Sequence, residues 1–314
     1  MSQNLHELVM AEIAQQPEML DWPVLVQLLK RGRSADWHIP MIVAQSLGQP
    51  IEPSLPAAVA LACLQVSIVL VDDILDNDPR GGFHEFGTGR TANYALALQA
   101  AGVGAITRAH IPTAARTAAL QLYAAMATRT AHGQHLDSEN LQGEENYWRV
   151  VHTKSTPFYA GAFKLGAIFA GVSADRVEAF ANIGHLVGEL AQIQDDITDA
   201  LDPEKTADWD ESRNNLLIMF ASTAEHEERE QLLELKPRIA QPDVLAQAQN
   251  ILIRSGALSY GVYLLVQKYE EARGLLTSLK LTVPEQIHQW LDMYRQFWEE
   301  MLGEDSISLT DSLG

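Results

Sequence analysis

Two groups of aspartates share one spacing: Asp72-Asp73-Ile74-Leu75-Asp76 and Asp195-Asp196-Ile197-Thr198-Asp199. Each has the form D-D-x-x-D, and each closes a mostly apolar run, at 66–71 in the first case and 186–194 in the second. On a helix, residues four apart lie on one face. Asp72 therefore stacks on Asp76, and Asp195 on Asp199. Carboxylates placed this way repel one another. A divalent cation turns the repulsion into coordination. Mg²⁺ takes oxygen ligands and commonly links one or two carboxylates to the phosphates of a substrate. The chemistry suggested is two carboxylate arms gripping metal ions and a phosphorylated substrate. For either copy alone, a solvated acidic helix end is the plainer reading. Two copies, each on an apolar helix, favour the metal.

The elements that must carry these arms are helical. Of 314 residues, 47% are hydrophobic but only 7% aromatic, so the core must be aliphatic, rich in Ala and Leu. The formal net charge is −19 and the pI about 4.8. That balance opposes nucleic-acid binding, which needs a basic footprint. It does not oppose anionic small substrates, because bound metal ions reverse the sign locally. The single cysteine, Cys63, excludes a disulfide framework or a cysteine zinc site within the chain. The N-terminal residues lack the basic-then-apolar pattern of a signal peptide. The longest apolar stretch, 57–71, is interrupted by Gln65 and Ser67, is too short to span a membrane, and reads as a buried helix. No membrane span and a cytoplasmic setting are expected.

Apolar positions recurring at three and four residues predict helices over 3–16, 21–31, 40–47, 57–76, 91–102, 112–136, 147–170, 175–199 and 214–221. Pro157 should break the seventh of these. Pro237 and Pro242 separate two more helices, and Pro284 opens the last, over 285–302. Loops are expected around Pro79, Gly81, Gly82, Gly87 and Gly89, and over the acidic stretch 202–213. Residues 303–314 read as a loose polar tail. No convincing strand alternation and no G-x-x-x-x-G-K loop occurs. The expectation is one all-α domain, 1–314, in which two antiparallel helices present the acidic clusters to one another across a cavity.

At these residues the sequence resembles the trans-isoprenyl diphosphate synthases, or polyprenyl synthetases. The similarity runs from about Lys30 to about Asn215. Gln192 to Asp199 is similar to the family's second aspartate-rich motif, and Asp72 to Asp78 to its first. Gly133-Gln134-His135-Leu136-Asp137 resembles a G-Q-x-x-D helix. Lys154-Ser155-Thr156 falls at a Lys-Thr pair, and Lys30-Arg31-Gly32-Arg33 resembles the end of a G-G-K-R-x-R-P motif.

The resemblance implies an all-α homodimer of the isoprenoid-synthase type, with helices around a deep central cavity. It implies three Mg²⁺ ions linking both motifs to an allylic prenyl diphosphate. Asp72, Asp76, Asp195 and Asp199 would ligate metal, and Asp73 and Asp196 would support them. Arg80, Lys154, Ser155, Gln192, Lys205 and Arg213 would hold the allylic substrate. Lys30, Arg33 and Gln65 match positions for isopentenyl diphosphate, with Gln65 replacing a common histidine. The implied reaction condenses the two diphosphates into a longer trans-prenyl diphosphate. Heterolysis of an allylic C–O bond yields a carbocation and a diphosphate anion. Cationic groups stabilise the leaving anion, and apolar walls keep water from the cation.

Two departures keep other outcomes open. Pro79-Arg80-Gly81-Gly82 has one arginine where the family has two, and Leu28-Leu29 and Ser34 replace two glycines and a proline. A terpene cyclase, or a prenyltransferase to another acceptor, would need only the allylic diphosphate. A noncatalytic partner subunit is a third reading, which the intact carboxylates oppose. Ser67 and Ile68 stand five and four residues before Asp72, where family members carry bulky aromatics at the pocket floor. Without that floor, a product longer than fifteen carbons is expected, with twenty the best match. Phe or Tyr at Ser67 is expected to shorten it.

Overall fold

A computed structural model of the chain describes residues 2–32, 34–204, 207–210 and 213–302. Arg33, Lys205 and the expected tail over 303–314 lie outside the described residues. Among the described residues every regular element is a helix. The first four α-helices are α1 (Ser2–Gln15), α2 (Pro17–Asp21), α3 (Val24–Arg31) and α4 (Ile39–Ser46). Next come α5 (Leu55–Asp76), α6 (Phe83–Phe86), α7 (Thr88–Arg108), α8 (Thr113–Ser138), α9 (Glu144–Lys154) and α10 (Thr156–Phe169). The rest are α11 (Ala174–Leu201), α12 (Ala207–Asp210), α13 (Leu216–Thr223), α14 (Arg229–Leu235), α15 (Pro242–Arg254), α16 (Ala257–Ser278) and α17 (Glu285–Leu302).

The middle of the bundle is α5. It is long and apolar enough to cross a membrane, but most of its apolar stretch is buried by its neighbours. Ala57, Ala58, Ala60 and Ala62 let α4, α7 and α8 approach closely, and every residue from Ala57 to Leu64 is fully buried. One side of α5 packs into a core shared with α1, α3 and α7. The other packs into the larger core of α8, α10, α11, α13 and α16. The helix ends at Asn77, whose φ of 49° is left-handed, a conformation asparagine tolerates better than most residues.

The break expected at Pro157 occurs two residues earlier, between α9 and α10 at Ser155. Pro157 sits in the first turn of α10, where its missing N–H is harmless. The lost hydrogen bond falls one turn back, so the chain turns there. The turn places Lys154 and Ser155 at a helix junction rather than along a continuous face. From it α10 runs back along α11: a Cβ on Gly188 would lie 2.6 Å from Thr156, and one on Gly184 would lie 2.5 Å from the Tyr159 carbonyl.

Candidate active site

Both acidic clusters open on one cavity of about 820 Å³. From α5 it is lined by Gln65, Ile68, Val69, Asp72 and Asp76, and from α11 by Ala191, Gln192, Asp195, Asp196 and Asp199. Phe158 and Tyr159 of α10 add aromatic wall. The two arms run in the same direction, not antiparallel. Asp195 feels Asp36, which is bonded to Gln65 midway along α5, whereas Asp199 feels Arg80 and Asp78 beyond the end of α5. Both helices thus bring their C-terminal ends to the mouth.

The carboxylates do not share one role. Asp196 is buried and structural: its Oδ1 accepts from Gln192 Nε2 at 2.9 Å and its Oδ2 from the Leu216 N–H at 2.9 Å. Ser155 Oγ in turn donates to Gln192 Oε1 at 2.7 Å. That chain ties the start of α10, the end of α11 and the start of α13 together. Asp73 lies outside the cavity lining, beside the 78–82 loop, where burial, then Asp78 and Asp72, push its carboxyl up to about 6.

Asp72, Asp76, Asp195 and Asp199 face the cavity. Burial, followed by repulsion from Asp199 and Asp36, pushes Asp195 up to about 7. Burial and then Asp208 push Asp199 up to about 6. Burial also raises Asp72, against the pull of Lys154. Carboxyls lifted this way are sites where the charged form lacks enough positive charge nearby. Asp76 makes the same point geometrically: Arg213 Nη1 lies 2.7 Å from its Oδ2, while its buried Oδ1 accepts no hydrogen bond from the described residues. A buried carboxylate oxygen without a donor is unusual, and a hard divalent cation would satisfy it. The donor set, carboxylate oxygen throughout, suits Mg²⁺.

The cations are held at the same end. Lys154 Nζ lies 2.6 Å from Asp137 Oδ2 and 3.3 Å from Asp72 Oδ1. Burial alone would lower its ammonium, but Asp72 and Asp137 outweigh burial and raise it. Gly133 makes this placement possible, because a Cβ there would meet the Lys154 backbone at 2.2 Å. Arg80 bonds Asp78 through Nε (3.1 Å) and Nη2 (2.9 Å), with its side chain 81% exposed at the rim.

The residues expected to take a second diphosphate are less well gathered. Lys30 is exposed and does not line the cavity. Gln65 does, but its Oε1 accepts from Trp37 Nε1 at 2.6 Å and its Nε2 donates to Asp36 at 3.2 Å. Ser67 is buried and donates to the Leu64 carbonyl at 2.7 Å; it does not line the cavity, and Ile68 does. The pocket wall expected at Ser67 therefore lies at Ile68.

Several participants were not singled out by sequence. Asp137, Asp208, Asn215 and Tyr159 all line the cavity. Asp137 was visible inside Gly133–Asp137, where the i and i+4 positions share a face. Asn215 bonds Asp208 Oδ2 and the Asp196 carbonyl while capping α13, a combination that only the tertiary structure reveals.

The sequence model of polyprenyl synthetases matches residues 30–252. Geranylgeranyl diphosphate synthase of Methanosarcina mazei is 26% identical over 196 residues, 58% of this chain and 60% of that protein. The short chain isoprenyl diphosphate synthase of Methanothermobacter thermautotrophicus is 29% identical over 143 residues, 42% of this chain and 44% of that one. The matched segments thus span 60% or less of these two relatives. Geranylgeranyl pyrophosphate synthetase from Pyrococcus horikoshii superposes with a TM-score of 0.82 at 17% identity, over 93% of this chain and 97% of that one. Polyprenyl synthase from Caulobacter crescentus, solved with calcium and isoprenyl diphosphate, superposes at 0.78 with 18% identity over 93% of each chain. The structural likeness carries the fold, and the sequence match carries the lineage: this chain belongs to the polyprenyl synthetase family.

Proposed function

We propose that the protein is a divalent-metal-dependent prenyltransferase that ionises an allylic prenyl diphosphate. The observation that carries this reading is the meeting of two aspartate arms at one cavity mouth, with Asp76 Oδ1 buried and without a donor among the described residues. Asp72, Asp76, Asp195 and Asp199 would hold Mg²⁺, with three ions expected from the family. Bound there, Mg²⁺ supplies positive charge to the diphosphate leaving group. The chain's own cations act alongside: Lys154 and Arg213 are fixed by Asp72, Asp137 and Asp76, so they need little reorganisation to donate to a diphosphate oxygen. Arg80 reaches in from the rim. Lys205 and Arg33, outside the described residues, remain family-based proposals as substrate-binding residues. Ile68, Val69, Phe158 and Ala191 supply the apolar wall against which an allylic cation is shielded from water.

Family membership supports isopentenyl diphosphate as acceptor, with Lys30, Arg33 and Gln65 as its proposed contacts and a product of twenty carbons or more. A homodimer is part of the same proposal, and the exposed Leu96 and Val103, two turns apart on α7, support it. A second reading, prenyl transfer without a second diphosphate, is favoured by one observation: both ends of the Gln65 amide are already engaged. Product analysis separates the readings. Purified protein, Mg²⁺ and farnesyl or geranylgeranyl diphosphate are incubated with and without isopentenyl diphosphate. Elongated prenyl diphosphate only with isopentenyl diphosphate supports the first; a hydrocarbon, alcohol or prenylated adduct without it supports the second. No diphosphate release under either condition contradicts both.

A further inference from the structure

Away from the aspartate arms, two imidazoles converge on one buried acid. Glu189 of α11 is 4% exposed. His185 stands four residues before it, so the two share a face of the helix. His152 comes from the last turn of α9. Its Nε2 lies 2.8 Å from Glu189 Oε1, and His185 Nε2 lies 3.6 Å from the same oxygen. The donor atoms of the three residues all lie within 4.8 Å of one another. Lys268 of α16 takes the other side of the carboxylate. Its Nζ lies 2.7 Å from Oε2, an ion pair outside hydrogen-bonding geometry. None of these four side chains lines the catalytic cavity.

Hydrogen bonding accounts for only part of this arrangement. His152 is within bonding distance of Oε1, but at 3.6 Å His185 is not. The His185 ring is nonetheless held beside it: the two imidazole centroids are 5.1 Å apart, and Trp148 stacks on His152 at 5.8 Å. Burial lowers the pKa of His185 against the pull of Glu189, and His152 and Lys268 lower it further. A ring kept neutral has a nitrogen lone pair to give. A tetrahedral ion with bonds of about 2.0–2.1 Å holds its ligand atoms about 3.3 Å apart. The observed 2.8 and 3.6 Å bracket that spacing, so small rotations of two half-exposed rings would seat an ion. Two imidazoles and one carboxylate suit zinc-type ions, whereas the all-carboxylate arms suit Mg²⁺. Lys268 at Oε2 orients the carboxylate and leaves Oε1 to the metal.

We propose that His152, His185 and Glu189 form a second metal site, outside the cavity, for Zn²⁺ or a similar transition-metal ion. The exposed edges of the rings leave its fourth position to water. His152 lies two residues before Lys154, and Glu189 one turn before Gln192. An ion bound here ties the end of α9 to the helix that carries the second aspartate arm. It stabilises the folded chain, because the three ligands come together only on folding.

The test uses the full chain, free of any histidine tag and stripped with chelator. Calorimetry with Zn²⁺ in excess Mg²⁺ compares wild type, His152→Ala, His185→Ala and Asp76→Ala. The expected result is one ion per chain with a dissociation constant of about 10 µM or tighter in wild type and in Asp76→Ala. Binding should be at least tenfold weaker in each histidine variant. Zn²⁺ should also raise the melting temperature of wild type and leave that of His185→Ala unmoved. Co²⁺ in place of Zn²⁺ should give the visible absorption of a four-coordinate ion in wild type but not in His185→Ala. Helical circular dichroism checks each fold, and His185→Gln replaces any alanine variant that unfolds. Wild-type binding no tighter than about 1 mM, an ordinary ion-pair cluster, overturns the proposal. So does binding that survives both histidine substitutions, or that is lost in Asp76→Ala alone, which would place the zinc on the aspartate arms. These readouts need no turnover, so they stand apart from the ionisation reading.

Discussion

At the scale of residues, the aspartates divide by what surrounds them. Asp196 and Asp76 stand at the second and last positions of the same D-D-x-x-D pattern; Asp196 is consumed by Gln192 and the α13 backbone, while Asp76 keeps an oxygen with no donor among the described residues. The spacing D-D-x-x-D identified both arms but could not say which carboxylate holds structure, because the Leu216 N–H that claims Asp196 comes from another helix. Asn215 illustrates the same limit. Its Oδ1 caps α13, and its amide nitrogen donates to Asp208 and to the Asp196 carbonyl. Asn215→Ala should lose the cap, about 0.5–2 kcal/mol, and leave Asp208 without its donor. Urea unfolding should show a loss at the upper end of that range or beyond; a change under about 0.5 kcal/mol would contradict this placement. Ile68 is the residue where cavity wall and product length meet. Ile68→Phe should shorten the prenyl product while Ser67→Phe, aimed into packed core, should destabilise the chain by about 1–3 kcal/mol. Chromatography of products and thermal unfolding of both variants check the pair; shortening by Ser67→Phe alone would reverse the assignment.

At the scale of elements, periodicity located the helices that matter, because long apolar stretches such as 57–76 and 175–199 leave little choice of conformation. The relative direction of the arms was not legible, since chain order does not say which ends meet. The α9–α10 break was legible through Pro157 but displaced, because proline tolerates the first turn of the next helix. The element contact that most directly sets the site is α8 on α9. Gly133→Ala places a methyl 2.2 Å from the Lys154 backbone, where neither helix backbone can yield cheaply. The variant should lose about 1–3 kcal/mol in stability and lower kcat, because Lys154 shifts relative to Asp72 and Asp137. Denaturant unfolding and steady-state kinetics together test this; a stable variant with unaltered kcat would separate the helix contact from the site.

At the scale of the whole molecule, the cavity concentrates negative charge in a chain that already carries −19. Asp195 at about 7 and Asp73 and Asp199 at about 6 all stand above the ordinary value of 3.8. Between about pH 4 and pH 7 the folded chain therefore binds more protons than the unfolded chain, and stability falls as pH rises through that window. The metal-free protein should melt higher at about pH 5 than at about pH 8. Mg²⁺ with inorganic diphosphate should recover the loss at the higher pH, since ligands that bind only the folded state stabilise it. Equal melting temperatures across the range, or no recovery with Mg²⁺, would argue against a cavity strained by unpaired carboxylates.

The central claim is that the two aspartate arms act together to ionise an allylic diphosphate. Its most direct test is release of inorganic diphosphate from farnesyl or geranylgeranyl diphosphate, measured with and without isopentenyl diphosphate. Wild type with Mg²⁺ should release it, chelation should abolish release, and Asp76→Ala and Asp195→Ala should each slow it by roughly 10²–10³ with the helical circular dichroism unchanged. Release at wild-type rates from either variant, or from the chelated protein, would contradict the account.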